Sequence, residues 1–117
     1  MKEYGLNLYI KESIGLIKDM LNNKQIATLK GLANRLKPIV MIGKDGISDN
    51  LFSSFDDAFN THELVKAKVL KTCDVSLNEL IIEICSNCHC EHVQTIGKVL
   101  IFYKKAKEPK IILWNMM

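Results

Sequence analysis

Two glycines three residues apart, Gly43 and Gly46, stand between a short apolar run and the start of a predicted helix. Glycine lets another chain approach the backbone closely, because it has no Cβ atom and can adopt positive φ angles. A helix N-terminus offers unpaired N–H groups and the positive end of the helix dipole, which attract phosphate. Lys44 adds positive charge to this loop, whereas Asp45 opposes phosphate unless it points away or caps the helix. The pattern predicts a phosphate-binding loop, with a plain tight turn as the alternative.

Cysteine and histidine are concentrated in one short segment, which is the second place where chemistry is expected. Thiolate and imidazole are ligands that zinc prefers, and the segment contains Cys85, Cys88, His89, Cys90 and His92. Structural zinc sites usually draw ligand pairs from separate elements, whereas the only distant cysteine is Cys73. Cys85 also lies at helical spacing from Ile81 and Ile84, which indicates a packed thiol. A small zinc-binding protein-interaction module using Cys85, Cys88 and Cys90 remains the alternative function.

Two further groups of side chains have possible chemical roles. His62 and Glu63 could act as an acid–base pair, although a histidine near the negative end of a helix dipole is the simpler interpretation. Tyr103 stands beside Lys104 and Lys105, so it is either a stacking face for single-stranded nucleic acid or a half-buried strand residue. The sequence has no catalytic carboxylate pair, nucleophile elbow or Walker phosphate loop. We therefore predict a protein that is not an enzyme and needs no cofactor.

Basic residues cluster in two segments, although the formal net charge of +3 is too small to indicate a nucleic-acid partner by itself. Residues 24–46 carry five bases and one acid, and residues 98–117 carry the same numbers. The intervening residues 47–63 carry four acids and no base. The two basic segments form one positive surface if the fold brings them together. Arg35 is the only arginine, and lysine acts on phosphate as a point charge, which favours recognition of the backbone over the bases.

Several of the candidate residues lie in or beside segments with the sequence patterns of β-strands. The apolar run Ile39–Ile42, between Pro38 and Gly43, predicts a buried strand. Leu64–Leu70 alternates in the manner of a half-buried strand. Two apolar runs flank Gly97-Lys98 and predict a hairpin; they are Val93–Ile96 and Val99–Tyr103.

Three helices are predicted where polar capping residues precede apolar residues at helical spacing. The capping residues are Asn22 or Asn23, Ser48 or Asp49, and Ser76 with Glu79 as its capping-box partner. The first helix is predicted to run to about Asn34. Its apolar face consists of Ile26, Leu29, Leu32, Ala33 and Leu36.

The elements alternate in the order α-β-α-β-α-β-β, which predicts an α/β fold with one mixed four-stranded sheet and helices packed on it. A chain of 117 residues is long enough for a single compact domain. We assign residues 22–106 to this domain, residues 1–21 to an N-terminal extension that is an amphipathic helix or partly ordered, and residues 107–117 to a tail. The sequence lacks a run of roughly 18 apolar residues for a membrane span, so we expect a cytoplasmic protein with free thiols and no membrane partner.

Three blocks of sequence, within residues 24–46, 62–68 and 94–104, resemble the CRM domain (chloroplast RNA splicing and ribosome maturation) in order and spacing. The first contains Leu29-Lys30-Gly31-Leu32-Ala33 and Ile42-Gly43-Lys44-x-Gly46. The second is His62-Glu63-Leu64-Val65-Lys66-Ala67-Lys68, and the third joins Gln94-Thr95-Ile96-Gly97-Lys98 to Ile101-Phe102-Tyr103-Lys104. The bacterial stand-alone form of this domain is the YhbY family. The resemblance covers about residues 22–106.

This resemblance implies an RNA-binding domain similar in fold to the C-terminal domain of bacterial translation initiation factor 3, with a loop likened to the GxxG loop of KH domains. Stand-alone members are associated with the large ribosomal subunit precursor and its assembly, which implies a ribosome-assembly factor that binds ribosomal RNA. We expect a monomer that has no small-molecule substrate. Asp45 departs from the often neutral or basic loop of the family. Gly43→Asp or Gly46→Asp is expected to weaken RNA binding and leave the fold intact. The predicted RNA-binding residues are Lys30, Arg35, Lys37, Gly43, Lys44, Asp45, Gly46, Lys98, Lys104 and Lys105.

Overall fold

The structure, a computed structural model, describes residues 21–106. Its elements follow the predicted order α-β-α-β-α-β-β and are α1 (Asn23–Ala33), β1 (Val40–Ile42), α2 (Asp49–Thr61), β2 (Leu64–Val69), α3 (Leu77–Cys88), β3 (Glu91–Ile96) and β4 (Val99–Tyr103). The amphipathic helix predicted within residues 1–21 lies outside the described residues apart from Leu21, and the tail 107–117 lies outside them entirely.

The strands form a mixed four-stranded sheet, as the sequence predicted, and they lie in the order β1-β2-β4-β3. Strand β1 is parallel to β2, whereas β4 is antiparallel to both β2 and β3. The β3–β4 pair changes register between His92 and Gln94, where β3 contains a bulge. Strands β1 and β3 are therefore the edges of the sheet.

The helices pack on opposite faces of this sheet. Helices α2 and α3 cover one face, called here the two-helix face, where Phe55 meets Phe102 edge-to-face at 5.4 Å between ring centroids. Helix α1 covers part of the other face, called here the α1 face. Its fully buried Leu29 and Ala33 lie in a cluster with Leu64, Val93, Ile101 and Tyr103. The chain therefore has an apolar core on each side of the sheet.

Short polar side chains start all three described helices, as predicted. Asn22 Oδ1 accepts a hydrogen bond from the Gln25 N–H at 2.8 Å, and Gln25 Oε1 accepts one from the Asn22 N–H at 2.9 Å. Ser48 Oγ and Ser76 Oγ each accept a bond from the N–H three residues later, at 3.1 and 3.2 Å. The reciprocal bonds at Asn22 satisfy two N–H groups that the first turn of a helix leaves free.

Several apolar residues predicted to be buried are exposed on the α1 face. Leu32 and Leu36 are 41% and 37% exposed, although they share helical spacing with buried residues of α1. Ile39 and Met41 are 50% and 55% exposed, so the prediction of a fully buried first strand is wrong. The physical reason is that β1 is an edge strand and only the two-helix face of its short run is covered.

The amine of Lys66 connects strand β2 to the C-terminal end of α1. Its Nζ donates to the carbonyl oxygens of Ala33 and Leu36, each at 3.1 Å. Carbonyl groups at the end of a helix lack partners within the helix, and a cation there also interacts favourably with the helix dipole. Lys66 thus has a structural role, although it lies in a strand with the same alternation as the exposed Lys68.

We predict that Lys66→Met lowers the free energy of unfolding by about 1–3 kcal/mol, because it removes two charge-assisted hydrogen bonds that join β2 to the end of α1. Urea denaturation followed by circular dichroism measures this change. Lys68→Met is the matched control, because Lys68 is exposed two residues further along the same strand; it should change stability by less than about 0.5 kcal/mol. Equal effects of the two substitutions would contradict the capping role of Lys66.

Candidate nucleic-acid interface

The Gly43–Gly46 loop is a tight turn between β1 and α2. The Gly46 N–H donates to the Gly43 carbonyl oxygen at 3.0 Å. Lys44 and Asp45 occupy the exposed tip of this turn. Helix α2 begins three residues after Gly46, and the Ser48 side chain binds one of its first N–H groups. The loop therefore presents its lysine to solvent, with the start of a helix behind it.

The two glycines of the loop are needed for different reasons. Gly46 is buried and has a φ of +55°, and a Cβ atom built on it would lie 2.7 Å from Val75 Cγ2. A Cβ atom on Gly43 would lie 3.5 Å from Leu70 Cδ1 and Thr72 Oγ1, which is ordinary van der Waals contact. The expectation that Gly46→Asp leaves the fold intact is therefore wrong, because position 46 has neither the conformation nor the space for a side chain.

Three connections of the chain meet at the end of the sheet where this loop lies. The Leu70 N–H donates to the Ile42 carbonyl oxygen at 2.8 Å, which holds the segment after β2 beside the segment after β1. The Val69 N–H donates to the Lys98 carbonyl oxygen at 2.7 Å, which holds the β3–β4 turn beside the end of β2. The Gly43–Gly46 loop, residues 70–72 and the Gly97-Lys98 turn are thus neighbours.

Four exposed lysines lie at or next to this end of the sheet, and we call them the loop-end lysines: Lys44, Lys68, Lys71 and Lys98. Lys44 and Lys98 were predicted from the sequence to bind RNA, whereas Lys68 and Lys71 were not. Lys68 occupies an outward position of an alternating strand, and Lys71 lies two residues after the end of that strand. The parallel pairing of β1 with β2 was the missing information, because it places the carboxyl ends of both strands together.

Lys104 and Lys105, both predicted to bind RNA, lie at the opposite end of β4. Tyr103 pairs with Leu64 at the start of β2, and the Lys104 N–H donates to the Glu63 carbonyl oxygen at 2.8 Å. Tyr103 lies four positions along the strand from Val99, a distance of roughly 13 Å. Lys104 is half-buried, with its Nζ 5.9 Å from the centroid of the Phe59 ring. The structure therefore does not bring these two lysines to the loop.

The remaining predicted basic residues belong to α1 and to the connection that follows it. Lys30 lies in the last turn of α1, and Arg35 and Lys37 precede β1; all three are exposed. They are separated from the Gly43–Gly46 loop by β1, because the loop follows the other end of that strand. The basic segment 24–46 thus supplies charge to both ends of β1.

The cysteine-rich segment is packed and shows no metal site. In the range 21–106, no three His, Cys, Asp or Glu side chains are grouped so that they could hold a metal ion. Cys88 Sγ and Cys90 Sγ donate to the carbonyl oxygens of Phe52 and Ile84, each at 3.8 Å. Burial raises the pKa of Cys88 to about 11, whereas a hydrogen bond from the Cys90 thiol lowers the pKa of Cys85. As predicted, Cys85 packs against the core on the two-helix face. The zinc alternative therefore has no ligand set in residues 21–106.

The other two candidate groups have structural environments. His62 is exposed at the C-terminal end of α2, as predicted for a histidine near the negative end of a helix dipole. Its Nδ1 lies 2.8 Å from Thr61 Oγ1. The buried Glu63 accepts a hydrogen bond from the Ala106 N–H at 3.2 Å. Tyr103 is only 2% exposed, and burial raises its pKa to about 12. Its ring is therefore not a stacking face for a nucleobase.

No helix within residues 21–106 has the length and apolar character needed to cross a membrane. The described residues instead form a domain in which α1 lies on one face of a mixed sheet, α2 and α3 lie on the other, and a GxxG loop carries lysine at the sheet end. This combination defines a small α/β domain with a basic loop end.

Comparison with known protein families identifies this α/β domain. The CRS1/YhbY (CRM) domain model matches residues 21–104. The chain therefore belongs to the CRM domain family, as the three sequence blocks indicated.

Bacterial relatives have similar sequences over nearly their whole lengths. The chain is 36% identical over 93 residues to the Bacillus subtilis protein named "Probable RNA-binding protein YqeI", covering 80% of this chain and 97% of that protein. It is 40% identical over 94 residues to a Haemophilus influenzae protein named "RNA-binding protein", covering 80% and 94%. The solution structure of SAV1595 from Staphylococcus aureus has a TM-score of 0.67 and 36% identity, covering 78% of this chain and 95% of that chain.

Proposed function

We propose that this CRM-domain protein binds RNA without catalysing a reaction and that the loop-end lysines contact RNA phosphates. The observation that carries the proposal is the convergence of three separate connections at one end of the sheet. Lys44, Lys71 and Lys98 each lie on a different connection and are exposed. Backbone hydrogen bonds of 2.7 and 2.8 Å hold these connections together. The positive charge is therefore positioned before RNA arrives, which favours binding of a phosphate backbone.

The names of the relatives support RNA as the partner, since the B. subtilis and H. influenzae proteins are both named as RNA-binding proteins. We further propose that the RNA is ribosomal RNA of the large-subunit precursor and that the protein acts in ribosome assembly as a monomer. The resemblance to stand-alone CRM proteins supports this assignment. Arg35 and Lys37 are exposed ahead of the other end of β1, and we propose that they add to the positive charge that attracts RNA to the domain.

Gly43→Asp tests the role of the loop. The Cβ atom fits at this position, so the domain should fold, while the new carboxylate repels phosphate beside Lys44. We expect affinity for a structured large-subunit ribosomal RNA fragment to fall about tenfold, as measured by fluorescence anisotropy at fixed salt. Gly43→Ala is the matched control and should bind within about twofold of the parent protein. Unchanged binding by folded Gly43→Asp protein would remove the loop from the interface.

The ribosomal assignment needs a separate measurement. Crosslinking of the protein to RNA in cells, followed by sequencing, should enrich large-subunit ribosomal RNA and its precursor over other transcripts. Enrichment of other RNA would contradict the assignment to ribosome assembly and retain RNA binding. Lack of any crosslink in cells that contain the folded protein would contradict RNA binding itself.

A further inference from the structure

The part of the α1 face that α1 leaves uncovered carries a row of four side chains, one from each strand. Met41 pairs with Lys68, Lys68 pairs with Val99, and Val99 pairs with Ile96. Residues that pair across neighbouring strands project from the same face of a sheet. We call Met41, Lys68, Val99 and Ile96 the open row. Met41 and Ile96 are 55% and 48% exposed, which is high for apolar residues in a sheet.

The open row lies on the same face as α1. Leu64 packs beneath α1, and Lys66 reaches the end of α1 with its amine. Because alternate residues of a strand share a face, Lys68 and the rest of the row lie on this face as well. Ile39, which is 50% exposed, adjoins the row, since its N–H donates to the Lys66 carbonyl oxygen at 2.9 Å.

We propose that the open row binds the unpaired bases of an RNA strand whose phosphates lie on the loop-end lysines; this inference rests on the proposed function. A single strand carries flat apolar groups beside regularly spaced negative charges. The row matches both parts, because Met41, Val99 and Ile96 are apolar while Lys68 lies between them and Lys98 adjoins Ile96 through the turn. The thioether of a methionine also makes favourable contacts with aromatic rings.

The position of Lys68 argues against an apolar protein segment as the occupant. Lys68 lies between Met41 and Val99 in the row, so an apolar partner would bury its ammonium group without a counter-charge. Burial of an unpaired charge is strongly unfavourable. The apolar segment 111–114 of this chain has no acidic residue to neutralise it. RNA supplies a phosphate for Lys68 and bases for its neighbours, so it satisfies the whole row.

The dimensions of the row fit a short stretch of RNA. Strands in a sheet lie about 4.8 Å apart, so four strands span roughly 14 Å. Stacked bases follow one another at about 3.4 Å, which leaves room for about four bases. The bases of a duplex are already paired and stacked, so they cannot lie against the row. The inference therefore predicts a preference for single-stranded RNA that depends on the apolar side chains.

The Met41→Thr/Ile96→Thr double variant tests this inference in the full-length protein. Threonine retains a preference for strands and leaves the net charge unchanged. We expect affinity for a twelve-nucleotide single-stranded RNA to fall about tenfold, while affinity for a blunt RNA duplex of the same length changes less than about twofold. Ile82→Thr is the matched control, because Ile82 is 62% exposed on α3, which packs on the two-helix face. This control should bind both RNAs like the parent protein.

The outcomes separate this inference from the proposed function. Equal losses for both RNAs, or unchanged binding of the single strand, would overturn the role of the open row. A change in sedimentation coefficient of the double variant without RNA would identify the row as a protein interface and would also overturn it. Lack of binding of either RNA by the parent protein would instead contradict the proposed function. Urea denaturation establishes that each variant is folded before binding is measured.

Discussion

Gly46→Ala is expected to lower the free energy of unfolding by about 2–4 kcal/mol. The φ of +55° costs a residue with a Cβ atom about 1–2 kcal/mol relative to glycine. The new methyl group would also lie 2.7 Å from Val75 Cγ2, and overpacking of this kind costs about 1–3 kcal/mol. Both effects act on the same turn, and the neighbouring core must shift to relieve the contact. Urea denaturation of the two proteins under identical conditions measures the difference.

Two comparisons separate the causes. Val75→Ala removes the methyl group that the new Cβ atom meets, so Gly46→Ala/Val75→Ala should be more stable than the sum of the single effects predicts, by about 1 kcal/mol. The stability that Gly46→Ala/Val75→Ala loses relative to Val75→Ala then measures the cost of the positive φ angle for alanine. Gly43→Ala has no close contact and should change stability by less than about 0.5 kcal/mol. Similar losses of stability in Gly46→Ala and Gly43→Ala would contradict the effect of the positive φ and of the Val75 contact at position 46.

The triple variant Lys44→Gln/Lys71→Gln/Lys98→Gln is expected to lose most of the electrostatic part of RNA binding. Each phosphate contact contributes about 0.7–0.9 to the slope of log affinity against log salt concentration. Removal of three contacts should reduce that slope by about 2–3. Affinity at low salt should fall at least about tenfold, and less at high salt, where these contacts are already screened. Anisotropy titrations at four or five salt concentrations measure both quantities.

A second triple variant with the same change in charge controls for the overall field of the protein. Lys30→Gln/Lys104→Gln/Lys105→Gln removes three lysines that sequence analysis predicted to bind RNA and that lie away from the loop. Its slope should stay within about one of the parent value. Equal slopes for the two triple variants would contradict a localised interface and would favour attraction by net charge alone.

The lysines illustrate why a pattern in sequence does not determine a surface. Lys66 and Lys68 occupy equivalent positions in one alternating strand, and both resemble exposed residues of a half-buried sheet. They differ in their contact with the end of α1, because the Lys66 amine donates to two carbonyl oxygens there at 3.1 Å whereas Lys68 is exposed. The basic segment that begins at Lys98 is likewise divided, with Lys98 at the loop and Lys104 at the far end of β4.

Local interactions made the elements predictable. Helix starts at Asn22, Ser48 and Ser76 depend on a side chain and an N–H group three residues apart, so the sequence contains all the information required. The order of elements and the GxxG loop follow from hydrophobic period and from Pro and Gly positions in the same way. The family blocks within residues 24–46, 62–68 and 94–104 are also contiguous, which is why the CRM family was recognisable.

Tertiary structure decided which residues share a surface. The order β1-β2-β4-β3 places Lys71 and Lys98 beside the loop, and neither placement follows from spacing along the chain. The need for glycine at position 46 comes from Val75, which is 29 residues away, whereas Gly43 carries no such constraint. Met41 belongs to an apolar run but is exposed, because its strand is an edge and α1 ends before covering it. Sequence alone thus determined what depends on neighbours along the chain, and long-range packing determined the surface that RNA is proposed to contact.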